Sequence, residues 1–146
     1  MRFIGDYTAK TDAKGRVFLP SALRKALANQ GETRLILRSD VFQKCLVLYP
    51  ESVWNEKIDS LKSQLNPWNS SHQNILRRFV ADAEQIELDS NGRMLIAKSK
   101  LQYAQIASDV RFLAVDDKIE VWGKENLDNL LNAESNLGGE IENLFG

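Results

Sequence analysis

The chain has 146 residues, 43% apolar and 27% charged, the make-up of a globular domain of ordinary size and not of a disordered chain. No apolar run approaches the roughly 18 residues of a membrane span, and Asp6 interrupts the N-terminus before the apolar stretch of a secretory signal can form. The formal charge is −1, yet residues 1–39 carry eight basic and three acidic side chains while residues 107–146 carry three basic and nine acidic, a split that can present one polyanion-attracting face on a chain of nearly neutral sum.

The first landmark in chain order is Asp12-Ala13-Lys14-Gly15-Arg16, followed by the apolar run Val17-Phe18-Leu19. Leu23, Ala26 and Leu27 then step at i, i+3, i+4, which predicts a short helix stopped by Gly31. Two strand-like stretches follow, at 34–37 and 45–49. Pro50 opens a predicted helix whose apolar stripe is Trp54, Ile58, Leu61 and Leu65, and the Asn-Pro-rich stretch 66–71 breaks it. A second helix carries Ile75, Leu76, Phe79, Val80 and Ala83 on one side and Arg77 and Arg78 on the other. Then Asp89-Ser90-Asn91-Gly92-Arg93 arrives, 77 residues after the first landmark, with its own apolar run Met94-Leu95-Ile96. Ser99 is the expected N-cap of a helix bearing Leu101 and Ala104. Strands follow at 110–115 and 119–122, with Asp116-Asp117 as the turn between them. Leu127, Leu130 and Leu131 mark a last helix, and the Gly- and polar-rich tail 136–146 is left open between fraying and docking on a neighbour.

Two D-x-x-G-R motifs in the same order of elements imply an internal duplication. The glycines have a backbone reason. Lys14-Gly15 and Asn91-Gly92 lie between extended segments, and turns there need the positive φ that glycine supplies. Asp12 and Asp89 can accept from backbone N–H groups two residues on and tighten each loop. Arg16 and Arg93 then have two compatible roles: an ion pair back to the aspartate that staples the hairpin, or contact with a nucleic acid, for which the planar two-pronged guanidinium is suited to both phosphate and base edges. Lys14 and Arg16 stand beside Lys10, Arg24 and Lys25; Arg93 stands beside Lys98 and Lys100, with no acidic residue from 90 to 108.

Catalysis finds little in the chain. His72, the single histidine, falls in the Asn/Ser-rich break as a solvated or helix-start residue, and Cys45, the single cysteine, falls in an apolar strand pattern and cannot form an internal disulfide. That cysteine usage points to the cytosol. There is no Cys/His cluster for a metal and no phosphate-cradling glycine loop. No enzyme, no cofactor and no small-molecule substrate is expected. Trp54, Phe79, Phe112 and Trp122 follow helix or strand periods and are expected in the core.

Two strand–D-x-x-G-R–strand–short helix–strand–strand units joined by a helical pair resemble the MraZ family of bacterial transcription factors, within the AbrB-like swapped-hairpin superfamily. The resemblance rests on Thr11–Pro20, Cys45–Pro50, Leu88–Ala97 and Val121-Trp122 and runs from about residue 1 to 135. It implies an α+β, β-rich fold in which two AbrB-like repeats, 1–50 and 84–126, form one pseudo-two-fold β-barrel. Residues 51–83 are then a helical connection and 127–146 a C-terminal helix and tail. It implies a cytoplasmic, nucleoid-associated homo-oligomer, closed into a ring, that binds direct repeats in double-stranded DNA upstream of the division and cell-wall gene cluster, commonly as a repressor. On this view Arg16 carries the DNA contact, with Lys14, Lys10 and Arg24 adding phosphate contacts and Arg93, Lys98 and Lys100 in support. Asp12, Gly15, Asp89 and Gly92 shape the turns. The alternative is an oligomeric scaffold or nucleoid-coating protein in which the turns are structural staples. Ala97-Lys98 departs from the Ala-Pro common in the family's second copy, which leaves the second loop open.

Overall fold

Alternation sets the inner face of the first strand. In β1 (Phe3–Lys10) the side chains of Phe3, Tyr7 and Ala9 turn inward while Ile4, Asp6, Thr8 and Lys10 face out. The structure, a computed structural model, describes residues 2–133 and 136–146. After β1 come β2 (Arg16–Phe18), α1 (Ser21–Asn29), β3 (Leu35–Ser39) and β4 (Leu46–Pro50), then α2 (Glu51–Ser63) and α3 (Ser70–Ala81). The second half repeats the order with β5 (Glu84–Ile86), β6 (Arg93–Leu95), α4 (Lys98–Tyr103), β7 (Asp109–Asp116) and β8 (Lys118–Gly123), and ends with α5 (Lys124–Leu131) and α6 (Leu137–Phe145).

The strands form an antiparallel sheet in the order β1-β7-β8-β4-β3-β5 and a separate ladder of β2 with β6. Exchanging each strand for its counterpart in the other half reverses the sheet order and leaves it unchanged. The halves are interleaved: β1 of the first pairs with β7 of the second, β5 of the second with β3 of the first, and β4 with β8 across the centre. Neither half can therefore complete its own sheet. One core holds residues of both, among them Leu23, Leu37, Leu48, Met94, Phe112 and Val121. Phe112 is fully buried, and each such side chain stabilises by about 1.5–3 kcal/mol relative to exposure. The mixed class of helices and strands is as expected, whereas the β-rich balance is not: with the helical connection and the two C-terminal helices, helices hold more of the described residues than strands do. No pairing among the described residues closes the two sheets into one barrel.

The alternation lapses where a strand is covered twice. Leu46–Pro50 of β4 is buried throughout, because the main core takes one face and the helical hairpin the other. Ile36, Val47 and Tyr49 pack there with Val53, Trp54 and Ala83. Trp54 of α2 stacks on Phe79 of α3, ring centroids 5.3 Å apart and planes within 3°. Both predicted helices are present, although Leu65 and Ala83 lie beyond their ends. His72 stands in the first turn of α3, its backbone N–H held by the Asn69 side chain and its Nδ1 accepting from the Asn66 N–H. Ser99 is not an N-cap: α4 begins one residue earlier, capped by Ala97 with no side-chain bond. Ala97 has φ −60° and ψ 145°, close to the −51° and 137° of Pro20 before α1, so the second loop reaches the same geometry without a proline.

Cys45 is fully buried beside Trp122 and Leu127. Burial pushes its thiol well above the ordinary range, and the thiolate is the reactive form. Native protein is expected to resist a thiol reagent such as iodoacetamide at pH 8, with labelling tracking denaturant-induced unfolding.

Candidate nucleic-acid interface

The two D-x-x-G-R turns are built alike, bond for bond. Asp12 Oδ1 accepts from the backbone N–H groups of Lys14 and Arg16, each at 2.9 Å, and Asp12 Oδ2 from Arg16 Nε at 2.7 Å. Asp89 does the same with Asn91 and Arg93 at 2.9 Å and with Arg93 Nε at 2.8 Å. Gly15 and Gly92 have φ of +85° and +83°. The staple expected from the sequence is therefore present in both copies. It uses only Nε of each arginine; the Nη groups of Arg16 and Arg93 hydrogen-bond to nothing among the described residues. The turn holds the aspartates below the usual carboxylate range, chiefly through the hydrogen bonds donated by the Arg16 and Arg93 backbone N–H groups.

A lowered native pKa means that the staples contribute above the ordinary aspartate value of about 3.9 and are lost as pH falls through the lower native value. In an NMR titration the Lys14 and Asn91 amide resonances are expected to hold their native positions at pH 5 and to move with midpoints below that ordinary value.

The β2–β6 ladder joins the turns. Its register sets Arg16 opposite Leu95, Val17 opposite Met94 and Phe18 opposite Arg93. Facing pairs share a side of an antiparallel ladder, as do residues two apart. Val17 and Met94 therefore point into the core, where both are buried, and Arg16, Phe18, Arg93 and Leu95 form the outer face. The loops interlock at its two ends: the Leu19 N–H donates to Gly92 O at 3.1 Å and the Ile96 N–H to Gly15 O at 2.9 Å. The Arg93 guanidinium lies 5.8 Å from the Phe18 ring centroid, within cation–π range.

The other predicted contact residues divide. Lys14 and Lys98 are exposed and make no ion pair among the described residues. Lys10 is exposed, 3.8 Å from Asp109, at a groove of about 690 Å³ that also takes in Phe18, Pro20, Ser21 and Arg24. Arg24 turns to the second loop, its Nη1 3.4 Å from both Asn91 O and Gly92 O. Its counterpart in the other half, Leu101, lies against Gly15, so the two turns differ in what backs them. Lys100 is not brought to this face. It is buried, and its ammonium donates to Asp82 O at 2.7 Å, where it ties α4 to the end of α3. Phe18 and Leu95, missing from the sequence-based set, are 54% and 58% exposed. The i, i+2 step from each motif arginine could have found them, had the pairing of the two runs been known.

Among the described residues no group of His, Cys, Asp and Glu could hold a metal ion, and no helix is long and apolar enough to cross a membrane.

The comparisons fit this doubled architecture. A family profile described as "MraZ protein, putative antitoxin-like" matches residues 2–78 and again 79–139. A protein of Bacteroides fragilis named "Transcriptional regulator MraZ" is 52% identical over 99% of this chain and 92% of its own length. One of the same name from Phocaeicola vulgatus is 53% identical over 100% and 95%, and one from Christiangramia forsetii is 35% identical over 92% and 86%.

Proposed function

The chain belongs to the MraZ family, and from that premise we propose that it is a sequence-specific DNA-binding transcriptional regulator. It binds promoter direct repeats of the division and cell-wall gene cluster, in the cytoplasm at the nucleoid, and represses. The observation that carries this reading is the outer face on which Arg16 and Arg93, half-buried and each fixed at Nε by its own aspartate, stand together on one two-stranded ladder. A two-stranded ribbon fits the major groove of B-form DNA, where a guanidinium can donate two bonds to guanine. Lys14 and Lys98 are available for phosphates, and Lys10 lies farther along the groove. Arg24 supports the second turn by its bonds to Asn91 and Gly92. In this reading 1–50 and 84–126 are the two repeats of one pseudo-two-fold barrel, joined by the helical connection 51–83. The core shared between ladder and sheet supports it. So does the pairing of each half with the other.

The working unit is a homo-oligomeric ring, with α6 at its contacts. Leu137, Ile141, Leu144 and Phe145 recur on one side of α6 and are 45–89% exposed, an apolar stripe suited to a neighbouring copy. Repetition around a ring raises effective concentration, so each subunit can bind weakly.

The test is fluorescence anisotropy with DNA from upstream of the chain's own gene and with a scrambled duplex, at two salt concentrations. A complex that prefers the natural sequence and weakens with salt is expected. Equal binding of both duplexes favours a nucleoid-coating role, and no binding favours a scaffold whose turns are staples only.

A further inference from the structure

Phe18 and Leu95 pose a question that the two arginines do not answer. Both are more than half exposed, although the ladder has a buried side that Val17 and Met94 fill completely. They face outward between Arg16 and Arg93 in a diagonal arrangement: Arg16 opposite Leu95, Phe18 opposite Arg93. The four side chains thus form a checkerboard, in which each apolar residue has one arginine across the ladder and the other two positions along its own strand. Beside its two guanidinium groups the face therefore presents two exposed apolar side chains. Base edges in the major groove offer one group of that character, the C5 methyl of thymine.

We propose that Phe18 and Leu95 are specificity-determining residues that read thymine methyl groups in the bound duplex, while the flanking arginines engage the neighbouring guanines or phosphates. This rests on the DNA-binding reading above and extends it to two residues and one chemical group. The geometry favours it in two ways. The two side chains share one face of a three-residue strand pair, so both enter the groove if either arginine does. Phe18 is also held beside Arg93 by the 5.8 Å cation–ring approach, which places a positive charge next to the apolar contact. The two-fold relation of the halves puts one reader on each strand of the ribbon, and because one is aromatic and the other aliphatic, the two thymine positions are not equivalent.

The experiment uses duplexes enriched from a random library by the intact protein, prepared with thymine and, separately, with deoxyuridine in its place. The wild-type chain is expected to bind the thymine duplex about fourfold more tightly per methyl contacted, the factor that burial of one methyl group implies. Phe18→Ala and Leu95→Ala, at exposed positions, are each expected to lose the discrimination at one thymine position while keeping the salt dependence. Equal affinity of the wild type for both duplexes overturns the proposal. So does discrimination that survives in both variants, which would place the methyl reader elsewhere. Loss of oligomer mass in Phe18→Ala, seen by sedimentation with thymine preference intact, would assign the pair to contact between copies and also overturn it. Failure to enrich any duplex overturns the DNA-binding reading itself, an outcome distinct from enrichment without methyl dependence.

Discussion

Gly15→Ala is expected to destabilise the fold by about 3 kcal/mol, an unfavourable backbone conformation and a steric clash together. Two effects coincide at this position. The residue has φ +85°, a region in which a side chain costs about 1–2 kcal/mol. A Cβ there would also lie 2.7 Å from the Ile96 carbonyl oxygen. That oxygen belongs to backbone tied to the turn itself, since the Ile96 N–H donates to Gly15 O, so it cannot withdraw without opening the ladder. Gly92→Ala shares the positive φ, but its Cβ meets the guanidinium end of Arg24, the tip of a long side chain that can swing away. The second substitution is expected to cost closer to 1 kcal/mol, the backbone contribution alone. Urea unfolding of the two variants beside wild type measures the difference. Equal midpoints for the two alanine variants would show that the Ile96 contact is relieved at no cost. Gly92→Ala should in addition free Arg24 from the second turn.

Arg16→Ala is expected to weaken binding to the preferred duplex by about 1–3 kcal/mol while leaving affinity for scrambled DNA nearly intact, if the guanidinium meets a base edge. A phosphate contact would instead weaken both duplexes alike and lower the salt slope by about one unit. Arg16→Lys is not expected to restore binding, because an ammonium can neither keep the Nε bond to Asp12 at 2.7 Å nor present a planar fork outward. Arg93→Ala is expected to act in the same direction, since its staple and its place on the ladder mirror those of Arg16. Arg93 also stands beside Phe18, so its removal frees an aromatic ring as well as deleting a charge. Anisotropy titrations of the two single variants and the double variant test this. Additive losses indicate independent contacts, and a double variant no worse than either single one indicates a joint contact.

Asp12 and Asp89 matter to this expectation through position. Each carboxylate accepts from two backbone N–H groups and one Nε, so it fixes the loop and the direction of the arginine at once. Exposed ion pairs contribute little to stability, but these restrict an otherwise flexible side chain, which under the proposed function orients the arginine before it meets DNA. The staple uses only Nε, so it is compatible with the proposed contact through the Nη groups of the same arginine.

The repeat was legible in the residues themselves. D-x-x-G-R depends on local chemistry: an aspartate short enough to reach amides two and four residues on, and a glycine able to take positive φ. Such bonds form within five residues whatever the rest of the chain does. The helical hairpin was legible for a similar reason, since apolar spacing at the helical period and a Pro-containing break are local signals. Which residues of each half would meet was a different matter. A three-residue strand such as Arg16–Phe18 has no inside or outside until another strand lies beside it, and its partner comes from a run 77 residues away. Only that pairing turned Val17 inward and Phe18 outward. Only the placement of α4 against β3, beside the residue that follows α3, brought the Lys100 ammonium to the Asp82 carbonyl instead of to the ladder's outer face. Local turn geometry is written in short-range hydrogen bonds, whereas the membership of a surface is decided by which distant segments share a core.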